Sequence, residues 1–137
     1  MATFVKFNTF IEALAEKVHN MGSDTFKVFL TNTAPTAATD DELADITEIS
    51  YTNCSARTIT VSSSAQSSGT YTWVLTDLVL TASGGTVGPF RYVGIYNDTS
   101  ITDRLVGYYD YGSSITLNDT ETLTIDFSAA TVTLTPV

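Results

Sequence analysis

From Thr25 onward, apolar side chains recur at every second residue in short runs, and each run is stopped within about a dozen residues by turn-forming residues. A period of two is the signature of a pleated strand with one face turned inward. The runs lie at 25–31 (Phe26, Val28 and Leu30 in phase), 56–62, 70–81, 90–96, 105–111, 114–117, 121–127 and 131–134. Phe29 falls on the opposite face from Phe26, Val28 and Leu30, so the first run is expected to be covered on both sides. The run over 70–81 changes phase near Asp77, as a bulge or bend does. Ser62 to Gly69 reads as a serine-rich link. Ser83-Gly84-Gly85, Val87-Gly88-Pro89, Asn97-Asp98 and Asn118-Asp119 read as turns. The pattern predicts a mainly β protein: one β-sandwich or barrel-like domain over 1–137, of seven to eight short antiparallel strands.

Composition supports that reading. Only 15% of residues are charged, below the roughly 25% usual for soluble domains, and 25 threonines take their place. Threonine is β-branched, so it suits a strand while showing a hydroxyl to water.

One segment has a different period. Phe7, Ile11, Leu14, Val18 and Met21 follow helical spacing, widened by Phe10, and predict one N-terminal amphipathic α-helix over 6–21. Thr9 and Glu12 have the spacing of a capping box, with Asn8 as an alternative cap, and Gly22 stands where a left-handed residue would end the helix. Residues 1–5 are expected to form an N-terminal arm. Residues 32–45 are small, polar and then acidic, which predicts a long loop with a short helical turn near Asp41 to Ala44.

The net charge of −9 argues against nucleic-acid binding, because neutralising phosphates needs clustered Lys and Arg and the chain has six scattered ones. An acidic skin favours solubility and could meet a basic patch on a protein partner. No run of 18 apolar residues is present, so no membrane span is expected, and the first residues lack the pattern of a signal peptide, which suggests folding in a cytoplasm. Cys54 is the sole cysteine, which rules out an intrachain disulfide, and it reads as a small buried hydrophobe, with a free thiol as the alternative.

Catalytic chemistry finds little to build on. His19 is the sole histidine, and no sequence neighbour supplies a nucleophile or an orienting carboxylate, so it reads as structural. Asp40, Asp41, Glu42 and Asp45 lack calcium-loop spacing and read as a solvated acidic loop. No nucleophile elbow, phosphate loop or dinucleotide fingerprint occurs. We therefore expect no catalytic, cofactor or metal site. The aromatic cluster stands apart: Phe90, Tyr92, Tyr96, Tyr108, Tyr109 and Tyr111, with Arg91 and Arg104 beside them. Such a set serves as core where rings point inward. Where they point outward it serves as a protein interface, or as a stacking surface for glycan.

Several blocks taken together carry a resemblance. They are Lys6-Phe7-Asn8-Thr9-Phe10-Ile11-Glu12 running on to Asn20, Gly22-Ser23-Asp24-Thr25, and Leu30-Thr31-Asn32-Thr33-Ala34-Pro35. Gly88-Pro89-Phe90-Arg91-Tyr92, Ile95-Tyr96-Asn97-Asp98 and Tyr109-Asp110-Tyr111-Gly112-Ser113-Ser114 follow. The arrangement resembles a family of small virion structural proteins of tailed bacteriophages. The resemblance is weakest over 47–69. It implies a capsid decoration (cement) protein on the capsid exterior, with the major capsid protein and further copies of itself (dimer or trimer) as partners and with no cofactor. A tail-tube or tail-tip subunit and a host-glycan-binding module are the alternatives. In a cement protein, 32–45 and 1–5 would serve as mobile arms.

Overall fold

A computed structural model describes residues 2–127 and 131–136. Among these residues the chain is mainly β, with three antiparallel sheets and one short helix near the N-terminus. Its elements are β1 (Phe4–Lys6), α1 (Asn8–Ala15), β2 (Phe26–Thr31), a 3-10 turn (Leu43–Asp45), β3 (Val61–Ser67), β4 (Thr70–Leu75), β5 (Leu78–Thr81), β6 (Val87–Asn97), β7 (Leu105–Leu117), β8 (Thr122–Ile125) and β9 (Val132–Leu134). The sheets run β1-β7-β6-β2, β3-β4-β9 and β5-β8. Nine strands among the described residues replace the seven to eight expected: β1 is added, the 70–81 run divides near Asp77 into β4 and β5 of different sheets, 105–111 and 114–117 join in β7, and the run expected at 56–62 gives way to β3, which starts at Val61.

The four-stranded sheet has two covered faces. Register places Val28, Val93, Ile95 and Tyr109 on one of them, where they join Trp73, Leu75, Leu80 and Ile125 of the other two sheets in the main core. Trp73 is fully buried and donates its indole N–H to the Met21 carbonyl at 2.8 Å. The opposite face carries a second cluster of Phe7, Phe29, Tyr96 and Leu105, against which Leu43, Ile46 and Tyr108 pack. Phe29 therefore needs cover on its own side, as expected. It lies directly over Gly94, where an added Cβ would sit 1.9 Å from the ring.

Four expectations are corrected. Residues 4–6 of the expected arm are strand β1, whose Phe4, Val5 and Lys6 pair with Tyr109, Tyr108 and Gly107; Met1 lies outside the described residues. The helix is half the expected length. It starts at Asn8 with Phe7 as a cap that makes no side-chain hydrogen bond, and its buried residues are Phe10 and Ala13, while Ile11 is half-exposed. It ends because Lys17 adopts a left-handed φ of 69°, with Lys17 N–H donating to the Leu14 carbonyl (3.4 Å) and Val18 N–H to the Ala13 carbonyl (2.9 Å). Those two bonds make a Schellman stop, five residues before Gly22.

The serine-rich link at 62–69 is mostly strand β3 and its turn to β4. Val87-Gly88-Pro89 continues β6 instead of turning: Val87 pairs with Leu117, and a Cβ on Gly88 would meet the Ile115 carbonyl at 2.8 Å. β6 thus continues across a glycine–proline pair that reads as a turn, through a register shift between the Val87–Leu117 and Phe90–Ile115 pairs.

The 32–45 segment is a loop with one helical turn, as expected, but it is tied to the start of α1 and to β7 and the turn before it. Asn8 N–H donates to the Ala37 carbonyl, Leu43 N–H to Asp103, and Leu105 N–H to Asp41. Arg104 reaches Asp41 at 2.6 Å. The loop lies against the second cluster through Leu43 and, just past its end, Ile46.

Candidate functional site

The aromatic cluster of the sequence is divided by the two faces of the β6–β7 hairpin. Phe90 is fully buried in the main core, Tyr109 is also buried there, and Tyr96 is buried in the second cluster. Those three candidate interface residues are core. Arg104 is committed to Asp41 and to holding the loop. Arg91, Tyr92 and Tyr108 are half-buried, and Tyr111 is 54% exposed. Of the eight aromatic and arginine candidates, Arg91, Tyr92, Tyr108 and Tyr111 are therefore the ones at the surface and not committed to the loop.

The hairpin holds these side chains firmly. Tyr92 sits opposite Asp110, and Tyr108 lies one register step along the same face, opposite Gly94. The Tyr92 and Tyr108 rings meet edge to face at 6.2 Å, and Phe7 supports Tyr108 from below at 5.4 Å. Arg91 forms a two-pronged pair with Asp110, Nε to Oδ1 at 2.8 Å and Nη2 to Oδ2 at 2.9 Å, and its guanidinium lies 5.4 Å from the Tyr92 ring centre. The Arg91 bond and the Gly112 N–H hold the Asp110 carboxyl below the usual range. Burial raises the Tyr108 phenol.

Between the Phe90–Ile115 and Tyr92–Asp110 pairs, β7 takes five steps where β6 takes two, so Tyr111 to Ser114 bulge outward. Gly112 enables the excursion with a φ of 99°; a Cβ there would meet open space, so its requirement is conformational. Ser114 Oγ donates to Asn32 Oδ1 at 2.8 Å, which ties the bulge to the start of the 32–45 loop. Tyr111 also borders an apolar groove with Ala2, Val93, Tyr109 and Leu123.

The potentially reactive groups are occupied elsewhere. His19 is buried beside the Phe10 and Phe26 rings. Asn97 Nδ2 also reaches Asp24 at 2.7 Å, and Asn97 Oδ1 accepts from Thr99 and Ser100 N–H. That orientation makes Nδ2 the donor to His19 Nδ1 at 3.0 Å and leaves the imidazole neutral. Burial first, then Arg104, lowers its pKa to about 4, against a smaller opposing pull from Asp24.

Burial raises the half-buried Cys54 thiol. Of the acidic loop residues, Asp40 accepts from Thr36 N–H, Asp41 pairs with Arg104, and Asp45 accepts from Asp41 and Glu42 N–H. Among the described residues, no group of three or more His, Cys, Asp or Glu side chains is placed to hold a metal ion. No helix among them is long and apolar enough to cross a membrane.

Sequence reasoning missed the Arg91–Asp110 and Arg104–Asp41 pairs. Both partners in each pair are far apart in sequence, and the first depends on a strand register that the bulge alone sets. Comparison of the chain with protein-family models, with curated proteins and with solved structures finds no match.

Proposed function

We propose that this chain is a structural, non-enzymatic component of a tailed-bacteriophage particle, a capsid decoration protein that binds the major capsid protein on the shell's exterior. The setting rests on the sequence resemblance. The observation that carries the binding role is the surface of Arg91, Tyr92 and Tyr108, held by Asp110 and Phe7 before any partner arrives. Arginine and tyrosine are the residue types that dominate binding energy at protein interfaces, and a surface already ordered loses little entropy on docking. In this reading the three sheets work as one sandwich-like module. Its rigidity places the surface, and the fastened 32–45 loop is part of that module instead of a mobile arm.

The test is addition of the purified chain to undecorated shells. Binding should raise the melting temperature of the shells. Tyr92→Ala and Tyr108→Ala should each weaken binding by about tenfold, the effect of losing an interface anchor, while the free chain keeps its circular dichroism spectrum. Failure of the wild-type chain to bind would overturn the shell assignment. Formation of rings or tubes by the chain alone would point to the tail instead.

A further inference from the structure

A sheet edge exposes unpaired N–H and C=O groups that invite another strand, and proteins usually keep such edges short, charged or covered. Most edges here follow that rule. The outer side of β2 is covered by the 48–59 segment, through Val28 N–H to Arg57, Ile59 N–H to Phe26 and Ile49 N–H to Leu30. β1 and β9 have three residues each, and β1 carries Lys6. β5 is met on its far side by Ser55 and Cys54. β8 has four residues and lies between Glu121 and Asp126.

β3 breaks the rule. It has seven residues, lies at the edge of its sheet, is exposed from Ser62 through Ser67, and beyond a single bulge at Ser62 pairs regularly from Ser63 to Ser67. No charged residue occurs from Thr58 to Thr76, in a chain with fifteen carboxylates. No proline interrupts it. The turn to β4 is the two-residue Ser68-Gly69 with φ of 49° and 82°, a hairpin turn that leaves Ser67 and Thr70 as a hydrogen-bonded pair. Alternation along the strand then turns the N–H and C=O of Ser64 and Gln66 outward.

We propose that β3 is a self-association edge, pairing antiparallel with β3 of a second copy about a two-fold axis near Ser64. The result is a continuous six-stranded sheet in the order β9-β4-β3-β3-β4-β9. Charge selects the second copy over another partner. A chain of −9 attracts basic surfaces, but this edge offers them no carboxylate, and it is where two acidic copies can approach without opposing like charges. A two-fold contact is self-complementary when the same neutral segment serves both sides. The inference gives a place in the fold to the self-association that the sequence resemblance implies, and it stands apart from the shell assignment.

Sedimentation equilibrium of the full chain, from about 10 to 500 µM, tests it, a range suited to the weak dimers that small interfaces form. The wild type should be a monomer–dimer mixture that shifts to dimer with concentration. Ser64→Lys sets two like charges across the axis and removes the Ser64 Oγ–Tyr71 Oη hydrogen bond, and Gln66→Pro removes an outward donor and the Gln66 Oε1 bond from Gly69 N–H while sparing the backbone bonds to β4. Each should raise the dissociation constant at least about tenfold, while the monomer keeps its circular dichroism spectrum at the temperature of the measurement. In the wild type, the Ser64 and Gln66 amides should exchange with deuterium more slowly as concentration rises, a readout that needs no variant. A chain that stays monomeric throughout, a dimer indifferent to both substitutions, or exchange rates that ignore concentration would each overturn the proposal. Dimerisation through β3 without shell binding would overturn the shell assignment alone.

Discussion

Asn97 shows how much one side chain can organise. Its amide nitrogen serves His19 and Asp24, its amide oxygen serves the Thr99 and Ser100 N–H groups, and its own carbonyl accepts from Ser100 Oγ. The neutral His19 that results has a direct consequence for stability. An unfolded histidine takes up a proton as pH falls through 6.5, whereas the folded one waits until about 4. Stability from this residue is therefore fully present above pH 6.5 and is lost as pH falls from there through 4, by about 3 kcal/mol in total. Urea unfolding at a series of pH values should show that slope, and His19→Gln should flatten it. An unchanged slope would assign the loss to the carboxylates. The sequence places His19 at a helix end and reads it as structural. Its partner, 78 residues away, is set by tertiary packing and could not be read from spacing.

At the level of elements, strands were more legible than the helix. β2 answers to its alternation of Phe26, Val28 and Leu30, because a period of two has meaning wherever one face is buried. The helical stripe of Phe7, Ile11, Leu14, Val18 and Met21 misleads because its members serve different structures. Phe7 caps the helix from the second cluster, Ile11 faces water, and Met21 belongs to the main core beyond the helix end. β3 was hidden for the opposite reason: both its faces are exposed, so no apolar alternation marks it. The helix stop suggests a stabilising change. Lys17 is exposed and holds a left-handed backbone that a side chain resists. Lys17→Gly should raise the unfolding free energy by about 0.5–1 kcal/mol, after allowance for the greater freedom of glycine when unfolded. Chemical denaturation measures it, and destabilisation would show that the lysine side chain contributes more than its backbone strain removes.

Across the whole molecule, the main core draws residues from all three sheets, so none of the sheets can lose its packing alone. Unfolding should be one cooperative transition. Trp73 reports on the core and the backbone circular dichroism reports on the strands. The two signals should give the same midpoint within error, and separate midpoints would mean that β3-β4-β9 melts independently. The sheet order β1-β7-β6-β2 has a further consequence, for synthesis. Its two flanking strands are completed by Thr31, while the central hairpin they pair with is not complete until Leu117. At about 5–20 residues per second, the early strands wait roughly 4–20 s on the ribosome for their partners. Until β6 is complete at Asn97, Phe26, Val28, Phe29 and Leu30 have no sheet to enter. Assembly of this protein is therefore timed by β6 and β7, and a nascent chain stalled before Val87 would present a sticky apolar strand to whatever chaperone or neighbouring chain is at hand.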